Sequence, residues 1–146
     1  MAKTQDLLII VNSTDPYNQY ASYVVAFMAK KLGNVPKVTI FYGPKGVQMT
    51  KKGELAKLVI NDEIKKLLAS QFDGLNPGDL PDNLEQMACF VKEQLGVAIV
   101  SCGTFHVIDG FATAVDDTSN IENFIVPAKL PQAWAALDAA DKVLYY

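Results

Sequence analysis

Five consecutive apolar residues, Leu7-Leu8-Ile9-Ile10-Val11, end at the turn-forming "NSTDP". An extended run this short, with no polar residue on either side of the pleat, reads as a strand buried on both faces, the kind a parallel sheet uses. The pattern returns in "KVTIFY" (Lys37 to Tyr42), "VAIVS" (Val97 to Ser101), "NFIVPA" (Asn123 to Ala128) and the closing "KVLYY". Helical patterns separate these runs. Asp15 and Pro16 form an N-cap and first-turn signal, the stripe Tyr17, Tyr20, Ala21, Val24, Met28 and Leu32 follows, and Gly33 is placed to end it. Leu55, Leu58, Val59, Ile64, Leu67 and Leu68 give one helix, or two short ones, between Glu54 and Leu68. Asp82 or Asn83 caps the next helix, whose stripe is Leu84, Met87, Ala88, Val91 and Leu95, stopped by Gly96. "PQAWAALDAADK", with Pro131 near its start, supplies the last.

Parallel neighbours need crossovers, and helices supply them. The order therefore predicts an α/β fold: a single-domain, three-layer sandwich with a mostly parallel sheet of about five strands and helices on both faces. A chain of 146 residues, half of them hydrophobic, is long enough to bury one core and short enough to need only one. Residues 1–146 are accordingly expected to form one domain. "SQFDGLNPGDLPDN" (Ser70 to Asn83) is then an ordered surface loop, because neither side of it is large enough to stand alone.

A net charge of −3 provides no field to gather nucleic acid or anionic lipid, so neither is expected as a direct partner. No apolar segment has the length of a membrane span, and the N-terminus has no targeting pattern. The expected location is cytoplasmic. Two cysteines without a Cys-x-x-Cys pair make neither a disulfide framework nor a zinc site. Both are expected as thiols.

Cys102 stands where chemistry on such a sheet gathers, at the carboxyl end of a predicted strand and the start of a short helix over "GTFHVIDGFATAV". The first-turn amides of that helix and its dipole favour a thiolate, which lowers a thiol pKa from ~8.5 into the ~3.5–7.5 range of activated cysteines. On this reading Gly103 allows a sharp turn and keeps a side chain away from the sulfur, and Thr104 adds a hydroxyl donor. His106, one helical turn on, supports the thiolate or takes up a proton. Against it stands the packing role, since free cysteine is among the most buried residue types. Cys89 lies off its helix stripe, at a flank, with Phe90 a possible subunit contact; pairing with Cys102 would require Cα atoms within ~7 Å.

The other candidates are weaker. Gly43 to Gly53 lacks a Gly-Lys-Ser/Thr ending and any Gly-x-Gly-x-x-Gly spacing. Cys102, His106 and Asp109 have no second ligand pair to make a metal centre, and no acid/base dyad is visible among the carboxylates. No metal or cofactor is expected. The loops after the strands, "NSTDP", "FYGPKG" and "SCGTF", would instead form a pocket lined by Asn12, Ser13, Phe41, Gly43, Gly46 and Phe105.

"LGVAIVSCGTFHVIDGF" resembles the segment of DsrE/DsrF-like proteins in which a strand ending in cysteine follows a "GV" and precedes a short helix and another glycine. "VTIFYGPKGVQMTKKG" is similar to that family's second strand and its "GV" loop, and "ALDAADKVLYY" to its closing helix and strand. The resemblance runs from Leu7 to Tyr146. It implies a small α/β protein that forms trimers or hexamers, alone or with paralogues. It also implies a cysteine, Cys102 here, that carries sulfur as a persulfide between donor and acceptor proteins in relays for sulfur oxidation or tRNA thiolation. Two other functions compete: a ligand- or partner-binding module in which Cys102 only lines the pocket, and peroxide reduction by Cys102, which needs a resolving thiol or an external reductant.

Overall fold

The computed structural model describes residues 3–146. Its centre is a sheet of five strands: β1 (Asp6–Val11), β2 (Lys37–Tyr42), β3 (Ala98–Cys102), β4 (Val126–Ala128) and β5 (Lys142–Tyr145). They lie in the order β4-β3-β2-β1-β5, with every pairing parallel. The apolar runs behave as expected: Leu7 to Val11 and Val38 to Tyr42 are all buried.

Helix α1 (Pro16–Lys31) starts where Asp15 accepts from the amides of Tyr17 and Asn18. Its buried face is Gln19, Ser22, Tyr23, Ala26 and Phe27, whereas Tyr17, Met28 and Leu32, assigned to the buried stripe from spacing, are exposed. Polar residues replace them because their hydrogen bonds are met inside the protein. Tyr23 and Tyr42 share a bond of 2.7 Å between hydroxyls, Tyr42 donates to Gln19 Oε1, and Gln19 Nε2 donates to the Ser13 carbonyl at 2.6 Å. This buried chain of bonds pins the "NSTDP" turn to the sheet.

The Glu54 to Leu68 segment divides at Ile60, whose amide bonds to Asp82, so a 3-10 turn at Leu55–Lys57 precedes α2 (Asp62–Ala69), capped by Asn61. Val59 and Leu67 are exposed. Ser70 to Asn83 crosses the surface, held by Phe72 edge-on against Phe27 and by buried Leu80. Asn83 caps α3 (Leu84–Leu95), and Gly96, at φ 74°, ends it in the left-handed region that glycine tolerates. After α1 the left-handed residue is Asn34 (φ 47°), one position beyond the expected Gly33. Strand β4 is only three residues long. The preceding residues turn instead, with the Glu122 amide on Thr50 and the Ile125 amide on Glu122.

Tyr23 reaches Tyr42, and Phe90 of α3 stacks on Phe27 of α1, so α1 and α3 cover the face of the sheet that carries Val11, Tyr42 and Ser101. Phe90 packs against α1 and is half-buried. The short α4 (Gly103–Ile108) follows β3 directly. The last crossover runs from one edge of the sheet to the other, and right-handed connection places α5 (Leu130–Ala139) on the opposite face. That face is thinly covered: α5 buries no residue fully, and Val126, Leu130, Trp134, Val143 and Tyr145 are exposed. Among the described residues no helix is long and apolar enough to cross a membrane.

Candidate functional site

Strand alternation fixes which side chains share a face. Ile10 pairs with Phe41, Phe41 with Val100 and Cys102 with Ala128, so Cys102 projects toward the α5 face with Ile10 and Phe41. One position beyond β1 and β2, Asn12 and Gly43 continue the same row, tied in by the Gly43 amide on Val11 and the Asn12 amide on Tyr146. Asn12, Gly43 and Cys102 are therefore neighbours across three strands at the carboxyl end of the sheet.

A cavity of about 300 Å³ between α5 and the sheet takes in Asn12 and Gly43 of this row, and Cys102 does not line it. Its lining includes Asn12, Phe41 and Gly43 from the sequence-derived pocket, together with Leu8, Ile10, Pro44, Ala133, Leu137 and Tyr145. The other three expected pocket residues lie elsewhere. Ser13 serves the α1 turn through its carbonyl and its hydroxyl, which accepts from Asp15. Gly46 opens a 3-10 turn packed so tightly that a Cβ would stand 1.9 Å from the Val11 carbonyl oxygen. Phe105 is half-buried on α4. The contribution of α5 and β5 escaped the sequence reading, although Ala133 and Leu137 sit four apart on one helix face and Tyr145 shares a strand face with Val143.

Cys102 is 6% exposed and is the N-cap residue of α4, with no side-chain cap hydrogen bond. Gly103 is required for a reason other than access to sulfur: a Cβ on it would lie 2.3 Å from the Val115 carbonyl oxygen. The segment that makes this contact is closed by Asp117, which accepts from the Thr113 and Ser119 amides and from both hydroxyls. Those bonds, the Ser119 hydroxyl foremost, hold the Asp117 carboxyl well below the usual carboxylate range. Thr104 is half-buried.

His106 is fully buried, its ring 5.0 Å from that of Phe111, and neither ring nitrogen has a hydrogen-bond partner. Burial lowers its pKa, opposed by nearby Asp109. Neither nitrogen bonds to Cys102.

Cys89, on α3, lies beyond the opposite face of the sheet from Cys102 and is half-buried. It borders a cavity of about 470 Å³ with Glu85, Glu93 and Glu122 on its walls. Desolvation first, then the charges of Glu93, Glu85 and Glu122, push its thiol up. The sheet separates the two cysteines, so Cys89 is not placed to resolve an oxidised Cys102. Among the described residues, no three His, Cys, Asp or Glu side chains are grouped to hold a metal ion.

No family model matches the sequence, and none of the curated proteins does. In three dimensions the chain is similar to the crystal structure of the ychN protein from E. coli, a DsrE/DsrF-like protein. The likeness spans 97% of this chain and 99% of that one, with a TM-score of 0.61 and 16% identical residues.

Proposed function

With this DsrE/DsrF-like α/β fold as the premise, we propose that the chain is an intracellular sulfur carrier that accepts and passes on sulfane sulfur as a persulfide on Cys102. The observation that carries this reading is the position of Cys102. It ends a strand and begins a helix at the carboxyl end of the sheet, beside Gly43 at the end of the neighbouring strand. The Cys102 thiolate attacks the outer sulfur of a donor persulfide: a Cys102 Sγ–S bond forms, the donor S–S bond breaks, and the donor leaves as a thiolate. An acceptor thiolate then attacks the outer sulfur of Cys102–S–SH and returns Cys102 as thiolate. Each step exchanges one S–S bond for another, so no resident cofactor or external oxidant is needed. The Cys102 side chain makes no cap hydrogen bond to α4, so the amides of Gly103 and Thr104 would stabilise the thiolate only after the sulfur turns toward them. His106, buried on α4, would act through packing. The partners are donor and acceptor proteins, and the exposed apolar face around α5 supports a homo-oligomer, a trimer or hexamer, or assembly with paralogues.

The test is transfer of isotopically labelled sulfur from a cysteine desulfurase charged with labelled cysteine. Wild type is expected to take up the label and lose it to an added thiol. Cys102→Ser, with an unchanged circular dichroism spectrum, is expected to take up none. A second reading, a ligand- or partner-binding module, is favoured by the burial of Cys102; it predicts an inert thiol in the same assay.

A further inference from the structure

The layer between α5 and the sheet is underfilled. Register sets its floor. Tyr145, Ile10 and Phe41 stand side by side on β5, β1 and β2, with Leu8 one step toward the amino end of the same face and Asn12 one step toward the carboxyl end. The roof is Ala133 and Leu137, about one turn apart on α5, while Trp134 of that helix is exposed and does not line the space. Protein interiors close-pack, and voids larger than a water molecule are few in a domain. A single methyl group at Ala133, over the large residues of the floor, leaves about 300 Å³ that a larger side chain would have filled. Leu137 and Tyr145 are on the wall and also exposed, so the space opens to solvent beside them.

The walls decide what fits. The chain has 13 basic and 16 acidic side chains, and none of them lines this space. An ion placed there would lose its water and meet no opposite charge, the costliest kind of burial. Aliphatic and aromatic carbon dominates instead, as in pockets for small organic molecules, which carry only a few placed polar groups. Here those groups are the Asn12 carboxamide and the Tyr145 hydroxyl. Asn12 Oδ1 accepts from the Lys45 amide, and Nδ2, with no partner among the described residues, is left as a donor. Since about 150 Å³ holds one benzene, about 300 Å³ holds two fused rings or a chain of about ten carbons.

We propose that the space between α5 and the sheet is a binding site for an uncharged, mainly apolar small molecule with a hydrogen-bond acceptor at its Asn12 end. The site is separate from the sulfur chemistry: Cys102 does not line it, and the inference does not depend on the carrier reading.

The probe is prodan, a neutral naphthalene ketone whose emission moves to the blue in apolar surroundings. Wild type and Cys102→Ser are expected to bind it alike. Decanone is expected to displace it at a concentration about tenfold or more below that of decanoate, which carries a charge. Ala133→Phe fills the space from the roof and is expected to weaken prodan binding about tenfold or more, whereas Trp134→Asp, outside the space, is expected to leave it within about twofold. Leu137→Ala enlarges the space and serves if Ala133→Phe does not fold; it is expected to shift the preferred ketone to a longer chain. Asn12→Asp keeps the acceptor for Lys45 and exchanges the donor for a charge, so decanone is expected to bind severalfold more weakly. No binding to folded wild type, binding unchanged in folded Ala133→Phe, or equal displacement by decanone and decanoate would overturn the proposal. Binding that appears only when Trp134→Asp separates the copies would also overturn it, by showing that a second chain occupies the space.

Discussion

At the scale of single residues, His106 is the clearest departure from the role its spacing suggested. One turn after Cys102 it was positioned to support a thiolate, but its nitrogens are buried without partners. Nothing in the sequence distinguishes a histidine that is buried with both ring nitrogens unpaired. Its lowered pKa means that the unfolded chain binds the proton more tightly, so stability rises with pH through this window and is lost as pH falls below the ordinary value of 6.5. His106→Leu is expected to flatten that part of the Tm-against-pH profile and to raise stability at pH 5 by about 1 kcal/mol, since two unsatisfied polar atoms are removed. Gly103 gives the opposite case, because its substitution meets backbone. Gly103→Ala is expected to cost about 1–3 kcal/mol in urea unfolding, as the added Cβ must displace the Val115 carbonyl.

Among the elements, the loops that frame the carboxyl end of the sheet are held by carboxylates. Glu122, 7% exposed, accepts from the Gly53 amide at 2.7 Å and so joins the loop after β2 to the turn before β4. Desolvation raises its pKa, the Gly53 amide opposes that, and the neighbouring Glu85 adds to it. The folded state then binds the proton more tightly than the unfolded one, and the stability this gives is lost as pH rises through the raised value. Glu122→Gln keeps an acceptor for Gly53 and removes the charge. It is expected to stabilise the protein by about 0.5–1 kcal/mol at pH 7, with the gain shrinking toward pH 4, by urea titration at the two pH values. Asp117 acts the other way, with four donors holding it ionised. Asp117→Ala is expected to loosen the segment over Gly103 and speed alkylation of Cys102 by iodoacetamide severalfold, with the fold retained by circular dichroism.

For the whole molecule, the sheet was legible because its apolar runs have no polar face, and the strand–helix alternation left little choice but parallel pairing. The phase of α1 was not legible, since Gln19 and Ser22 are buried by hydrogen bonds that only the folded chain supplies. The site was legible in part for the same reason. Asn12, Phe41 and Gly43 on the cavity wall follow from strand ends, whereas the α5 wall depends on a helix crossing from one sheet edge to the other. That helix leaves Trp134 66% and Tyr145 69% exposed, a concentration of apolar surface suited to self-association. Trp134→Asp is expected to shift the protein to a smaller species in sedimentation velocity without lowering its helix content.

The carrier account stands or falls on where sulfur resides. Purified wild type, Cys89→Ser and Cys102→Ser, each exposed to polysulfide and confirmed folded, would be compared by intact-mass spectrometry. The account predicts one added sulfur, removable by dithiothreitol, on wild type and Cys89→Ser and none on Cys102→Ser. No sulfur on folded, reduced wild type, or sulfur retained by Cys102→Ser, would contradict it.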